Sequence, residues 1–283
     1  MSRQVFEEKA ISRQDLLLDE FVNLAINRFT WSNLPKGLTS ERLEELLISY
    51  GTLGAFKNET GLLLILPLFG TSKVNIYNEH TEFRLTGFNG TEFTKSVDDV
   101  VKLKNNPLGT EDLSTLQLYA KKIDDIEQTQ DVNLFQQCIP KIIGTNKDGI
   151  LTAKNIIKQI KEYKFVVFTK SKGIENQLKK EDVLDNTAPY ILDKLSDYEN
   201  FYRNKVLTFL GINNNNTDKK ERLVVDEVNA NNDYIAICLD LMYDMRKRFC
   251  DEVNEKFGCN ISVEKRKVEN VHGNDKRNVR EWC

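Results

Sequence analysis

The sequence predicts an α+β protein in which two long helices bracket a strand–helix–strand module, with a small antiparallel β region ahead of them. Three observations carry this. Ile191, Leu195, Tyr198, Phe201, Tyr202, Val206 and Phe209 recur at steps of three or four, one apolar stripe of a long helix. Leu113, Leu116, Leu118, Tyr119, Ile123 and Ile126 mark a second long helix within the acidic stretch Glu111–Phe135. Between Leu53 and Phe93, short β-branched and aromatic runs parted by turn residues replace the helical period.

In chain order, Asp15–Phe29 reads as an amphipathic helix with Leu18, Phe21, Val22, Ala25, Ile26 and Phe29 on one face, ended by Pro35 and Gly37. A second helix, Glu41–Tyr50, presents Leu43, Leu46, Leu47 and Tyr50 and stops at Gly51. Five strands are expected next: Leu53–Phe56, Leu62–Leu68, Lys73–Tyr77, Glu82–Thr86 and Thr91–Phe93, with Asn89-Gly90 as a hairpin turn. They form a small antiparallel barrel or sheet. Asn105 to Gly109 break the chain before the acidic helix. Beyond that helix, Ile139–Ile143 and Phe165–Phe168 read as strands around a helix over Leu151–Tyr163.

The next helix has clear end signals. Thr187 is a suitable N-cap, Pro189 suits the first turn, and Gly211 stands where a C′ glycine ends a helix. Ala188 to Leu210 would span about 35 Å. Asn213, Asn214, Asn215 and Asn216 follow, then Thr217, Asp218, Lys219, Lys220 and Arg222, with no apolar anchor. Such a run reads as a mobile polar loop, and composition alone favours a plain connection between two helices. Ile235, Leu239, Met242, Phe249, Val253 and Phe257 mark a further long helix ended by Gly258; Asn260–Val263 reads as a strand, and the charged stretch from Glu264 as loosely ordered.

Length and composition fit one large domain or two small ones: 283 residues, 40% hydrophobic and 29% charged. The net charge of −3 does not mark the chain as a nucleic-acid binder. Charge is uneven, however. Cys138–Lys180 holds ten lysines against three acids, whereas Glu111–Gln136 holds two lysines against six. The basic segment reads equally as a nucleic-acid face or as a solvated surface. Five cysteines without a CxxC pair argue for a reducing compartment and against a disulfide frame or zinc site. His80 and His272 lack metal-ligand spacing, no P-loop or dinucleotide fingerprint occurs, and neither Asp124-Asp125 nor Asp226/Asp240 has supporting ligands. No catalytic residue, metal or cofactor is expected. The amino terminus is polar, and the longest apolar run, Leu62–Phe69, is too short for a membrane span.

Several segments carry a family resemblance. APYILDKL (Ala188–Leu195), TFLGI (Thr208–Ile212) and KKERLVVDEV (Lys219–Val228), preceded in order by FTWSNLP (Phe29–Pro35) and ISYGTLGAFKN (Ile48–Asn58), resemble the upper collar protein of small podophages with protein-primed linear genomes. That family is the portal, or head–tail connector. The resemblance implies a ring-forming portal fold. It divides the chain into N-terminal helices with an SH3-like β wing region (1–110), a first stem helix (111–136), a clip (137–187), a second stem helix (188–212), a channel loop (213–233), and a C-terminal wing helix with its tail (234–283).

The same resemblance assigns roles. Leu116, Tyr119, Ile123, Ile191, Leu195, Tyr198 and Tyr202 would lie along the stem. Lys154, Lys158, Lys161, Lys164, Lys170 and Lys172 would form a basic clip face toward tail or motor. Lys219, Lys220 and Arg222, with Asn213 to Asn216, would project toward DNA. The implied partners are about eleven further copies in a ring of about twelve, capsid and scaffold proteins, the lower collar or tail protein, a packaging ATPase and double-stranded DNA in the channel. No membrane is implied, and the expected location is the portal vertex of the virion, after assembly in the host cytoplasm. Relatives can carry a strongly basic amino terminus; here Arg3, Lys9 and Arg13 are offset by Glu7, Glu8 and Asp15, so no RNA or capsid contact is carried over from that end. The competing reading is a non-viral nucleic-acid-binding or processing protein that uses the basic 138–180 segment.

Overall fold

The computed structural model describes residues 12–138, 141–143, 183–185, 189–214 and 225–266. The elements are α1 (Arg13–Ile26), β1 (Phe29–Ser32), α2 (Ser40–Tyr50), β2 (Thr52–Lys57), β3 (Leu63–Gly70), β4 (Glu82–Thr86), β5 (Glu92–Ser96), β6 (Val101–Lys104), α3 (Leu113–Cys138), β7 (Lys141–Ile143), β8 (Val183–Asp185), α4 (Leu192–Leu210), α5 (Val225–Phe257) and β9 (Ser262–Lys265). The α+β class is as the sequence predicts. The chain divides into two compact units, Met1–Leu17 with Gln117–Val206 and Leu18–Leu116 with Leu207–Cys283, the divisions falling inside α1, α3 and α4.

The larger unit is built on a five-stranded antiparallel sheet in the order β5-β4-β3-β2-β6. Alternation along β2 sends Leu53 and Ala55 to one face and Gly54 and Phe56 to the other, and all four are buried. The first face packs on α2 and α5 through Leu43, Leu47, Met242, Phe249 and Val253, with Trp31 and Val263 of the β1–β9 pair completing the core. The second face gathers Phe56, Phe83, Leu85 and Val100. Phe56 and Phe93 meet at 5.0 Å between ring centroids, their planes tilted by 56°, although β2 and β5 stand three places apart in the sheet. A flat sheet would hold those strands about 14 Å apart. The sheet therefore curls on itself around this inner cluster, which is why β2 needs a glycine: a Cβ on Gly54 would meet Leu68, Leu85 and Val100 within 3 Å.

A buried polar network joins α2, α5 and the connection after β6. Arg246 is fully buried and uses every donor of its guanidinium: Nε and Nη2 on the Glu44 carboxylate, Nη1 on the Asn105 and Met242 carbonyls, and Nη2 again on Asn105 Oδ1. Trp31 Nε1 donates to the same Glu44 at 2.7 Å. Beside it, buried Arg28 pairs with Asp112 at 3.4 Å. Burial, reinforced by the neighbouring Arg246 charge, pushes Arg28 down to about 10.

Several expected elements differ. Phe29 does not continue α1: it opens β1, which pairs with β9, a partner too distant in sequence for local periodicity to reveal. Lys73–Tyr77 forms no strand, because Asn75 Oδ1 accepts from the Tyr77 and Glu79 amides and bends the backbone into a turn. The fifth strand is instead β6, in which Val101 and Leu103 alternate with lysines and all four residues pair with β2. Glu264 and Lys265, expected to be loosely ordered, belong to β9. The α4 helix begins at Leu192, later than Ala188; Pro189 and Tyr190 precede it, and Ile191 accepts its first amide, from Leu195. Residues 225–233 are helical within α5 and not loop, the long helix overriding the poor local propensity of Asn229, Asn231 and Asn232. Thr187, the Leu151–Tyr163 helix and the Phe165–Phe168 strand lie outside the described residues. Of the intervening module, β7 is described and pairs antiparallel with β8, Lys141 opposite Asp185.

Candidate assembly surface on the paired helices

Within the smaller unit, α3 and α4 run antiparallel. Their contacts step in opposite directions along the two chains: Tyr119 on Tyr202 at 6.3 Å, Gln130 on Glu199 at 3.4 Å, and Asn133 at Pro189 and Ile191. Buried Asn133 sets where α4 starts. Its Nδ2 donates to the Pro189 carbonyl at 2.9 Å, and its Oδ1 accepts from the Ile191 amide at 3.4 Å. It occupies a polar main-chain group just before the first helical turn, where amides lack helical partners.

Charges stitch the pair. Arg203 of α4 reaches Glu127 at 3.5 Å and Glu199 at 3.0 Å, while Arg13 of α1 reaches Asp131 at 2.8 Å and Glu127 at 3.4 Å. The hydrogen bond that Arg13 donates to Asp131 holds its guanidinium above the ordinary value. Cations also lie over the aromatic rings, Lys122 on Tyr202 at 5.1 Å and Lys205 on Phe201 at 4.6 Å. The acidity counted along α3 is thus partly neutralised within the chain, at Glu127 and Asp131.

The expected stem residues divide by exposure. Ile123 and Leu116 are buried; Tyr119, Ile191, Leu195 and Tyr202 are half-buried; Tyr198 is 59% exposed. Leu118, Val132, Leu134 and Phe135 on α3 and Tyr198 and Phe201 on α4 remain exposed. These two helices therefore keep apolar surface facing outward after they have packed on each other.

Of the expected channel loop, Asn213 and Asn214 are described, and Asn214 Nδ2 donates to Thr208 Oγ1 at 2.8 Å. Asn215, Asn216, Lys219, Lys220 and Arg222 lie outside the described residues, as do Lys154, Lys158, Lys161, Lys164, Lys170 and Lys172 of the expected clip face. Gly211 stands where the sequence placed it. Its φ is +71°, its amide donates to the Thr208 carbonyl, and the next amide, Ile212, donates to Leu207 at 2.8 Å, closing α4 with a Schellman turn. Sequence reasoning took Arg13 only as a charge of the amino terminus and passed over Asn133 and Arg203. A signal existed for the last: Glu199 and Arg203 are four apart on one helix face.

The family model described as Phage Connector (GP10) matches residues 14–269. The chain belongs to the phage connector family: it is a bacteriophage head–tail connector, a structural component of the virion. Its structure is also similar to a chain of the portal and tail of native bacteriophage P68, with 13% identity, 91% of this chain and 87% of that chain covered, and a TM-score of 0.46.

Proposed function

We propose that the chain is the portal subunit of a ring of about twelve copies at one capsid vertex, through which viral DNA is packaged and ejected and to which the tail attaches. The carrying observation, in a member of the connector family, is the outward apolar surface of α3 and α4, above all Leu118, Val132, Leu134, Phe135, Tyr198 and Phe201. Apolar area of this kind is costly in water and is covered when copies meet. Closed symmetry then limits growth to a ring.

In this reading α3 and α4 are the stem, and residues 137–187 are the clip facing motor and tail. The wing comprises the curled sheet with α5, and the channel loop is confined to residues 213–224. Capsid and scaffold proteins, a tail protein and a packaging ATPase are the partners, assembly occurs in the host cytoplasm, and the chain performs no catalysis of its own. The wall that DNA passes need only be weakly attractive, since each neutralised phosphate adds affinity through counterion release. Native mass spectrometry of the purified protein tests the reading. A closed ring of roughly twelve is expected, and a folded monomer that persists at micromolar concentration would overturn it.

A further inference from the structure

Between β3 and β4 the chain makes a short excursion, residues 71–81, that is built almost wholly from hydrogen bonds. Thr71 donates to Glu82 and Thr81 to Lys73, Val74 bridges His80, and Asn75 donates to Glu79 at 2.9 Å while its side chain accepts from Tyr77 and Glu79. Asn78 takes a φ of +62° to close the apex. At the base, the His80 ring lies where a Cβ on Gly70 would stand, and its Nδ1–H donates to the Thr71 carbonyl at 2.7 Å. Lys73 and Glu82 add an ion pair at 2.6 Å. What this frame presents is apolar: Ile76 is 91% exposed and Tyr77 79%. A stiff turn that holds two large apolar side chains in water has the form of a knob without its hole.

The same unit carries a hole. A half-open cavity of about 390 Å³ is lined by Pro35, Leu62, Leu63, Leu64, Cys259 and Ile261, with Asn33 and Lys36 as its polar lining. Its size is in the lower range of pockets that take ligand-sized groups, roughly 300–1,000 Å³. Knob and hole stand at opposite ends of β3: Leu62 to Leu64 open the strand, and Gly70 closes it into the excursion. The eight residues of β3 span about 26 Å. One chain therefore cannot fill its own cavity with its own apex. Two different, mutually complementary patches on one subunit are what a head-to-tail ring contact requires. The charges agree, since Glu79 flanks the apex and Lys36 the cavity.

We propose that neighbouring subunits are joined by the Ile76–Tyr77 apex of one inserting into the Pro35–Leu62–Ile261 cavity of the next. The inference rests on the ring reading above. Tip and cavity are tested on the full-length chain. Ile76→Cys, treated with a short bis-maleimide, should give subunit-to-subunit cross-links whose linked peptides contain residues 76 and 259, and adding Cys259→Ser should abolish them. The double variant Ile76→Ser with Tyr77→Ser removes no core contact, so its far-UV circular dichroism and Tm should match the wild type. Its ring should nonetheless dissociate at about tenfold higher protein concentration, the scale of losing a buried aromatic anchor. Rings that form normally in the double variant, or an Ile76→Cys ring without a link to residue 259, would overturn the docking and leave the ring standing. Failure of the wild-type chain to form any ring would overturn both.

Discussion

Arg246 and Glu44 meet as a two-point ion pair, Nε to Oε1 at 2.8 Å and Nη2 to Oε2 at 2.6 Å, with both side chains fully buried. Neither charge has access to water, so each depends on the other. Arg246→Met alone should lower unfolding free energy by about 3–5 kcal/mol, because it strands a buried carboxylate. Glu44→Leu with Arg246→Met should cost less than either single change, the remaining loss being the unpaired Trp31 and Asn105 groups, on the order of 1–3 kcal/mol each. Urea unfolding of the three variants checks the order.

Gly211 combines a left-handed φ with crowding: a Cβ there would meet Leu239 Cβ at 2.7 Å and its backbone amide nitrogen at 2.8 Å. Gly211→Ala should therefore cost more than the roughly 1–2 kcal/mol of left-handed strain alone. Gly37→Ala is the control, since Gly37 also has positive φ but nothing within 4 Å of the added carbon. Thermal unfolding should show the larger drop in Tm for Gly211→Ala.

Burial pushes the Cys250 thiol up to about 12, with Asp251 adding to the shift. A thiol raised in the folded state contributes stability that is whole below its unfolded value near 9 and is lost as pH climbs toward 12. Stability should fall between those limits by at most about 1.4 kcal/mol per pH unit from this group. Cys250→Ala should show a shallower decline over the same window. At pH 8 a thiol reagent should label Cys259 and Cys238, both half-buried, before Cys250.

Replacing Lys219, Lys220 and Arg222 together by Ala should leave ring assembly intact and let packaged DNA slip back out of the head more readily. On the proposed reading, the contacts removed would be with phosphate and would carry no sequence information. The difference from wild type should shrink as salt rises, as an electrostatic grip requires. Equal DNA retention by the triple variant at low salt would reduce the loop to a connection.

Local signals were legible where one stretch of chain decides its own conformation. Asn89-Gly90 turns β4 into β5, with Gly90 at φ +83°; α2 starts and stops within a residue of its sequence signals; Gly211 ends α4. Elements that depend on distant partners were not legible. The VKLK of β6 looks like a short charged run until β2 is beside it, and Phe29 belongs to a helix face until β9 pairs with it. The polar core was hidden in the same way. Arg246 sits in MRKRFC, which reads as solvated charge. Yet Met242, Arg246, Phe249 and Val253 keep helical spacing, so the arginine lies on the buried stripe of α5, and that spacing was the available signal. The apolar faces of α3 and α4 were visible as stripes, but periodicity alone did not separate inward Ile123 and Val206 from outward Leu118 and Phe201.

The pairing of β1 with β9 has a consequence for synthesis. Phe29–Ser32 leaves the ribosome early, and Ser262–Lys265 leaves only after residues 33–261 have been made. At ~5–20 residues per second that interval is on the order of 10–50 seconds. For that time Trp31 and the face of α2 that it covers have no closing strand. A nascent chain can fold the β2–β6 sheet as it emerges, but the larger unit is sealed only once β9 has been made. On the proposed ring reading, subunits would therefore meet with this unit closed only after β9 has been made, so that ring closure follows the synthesis of that strand.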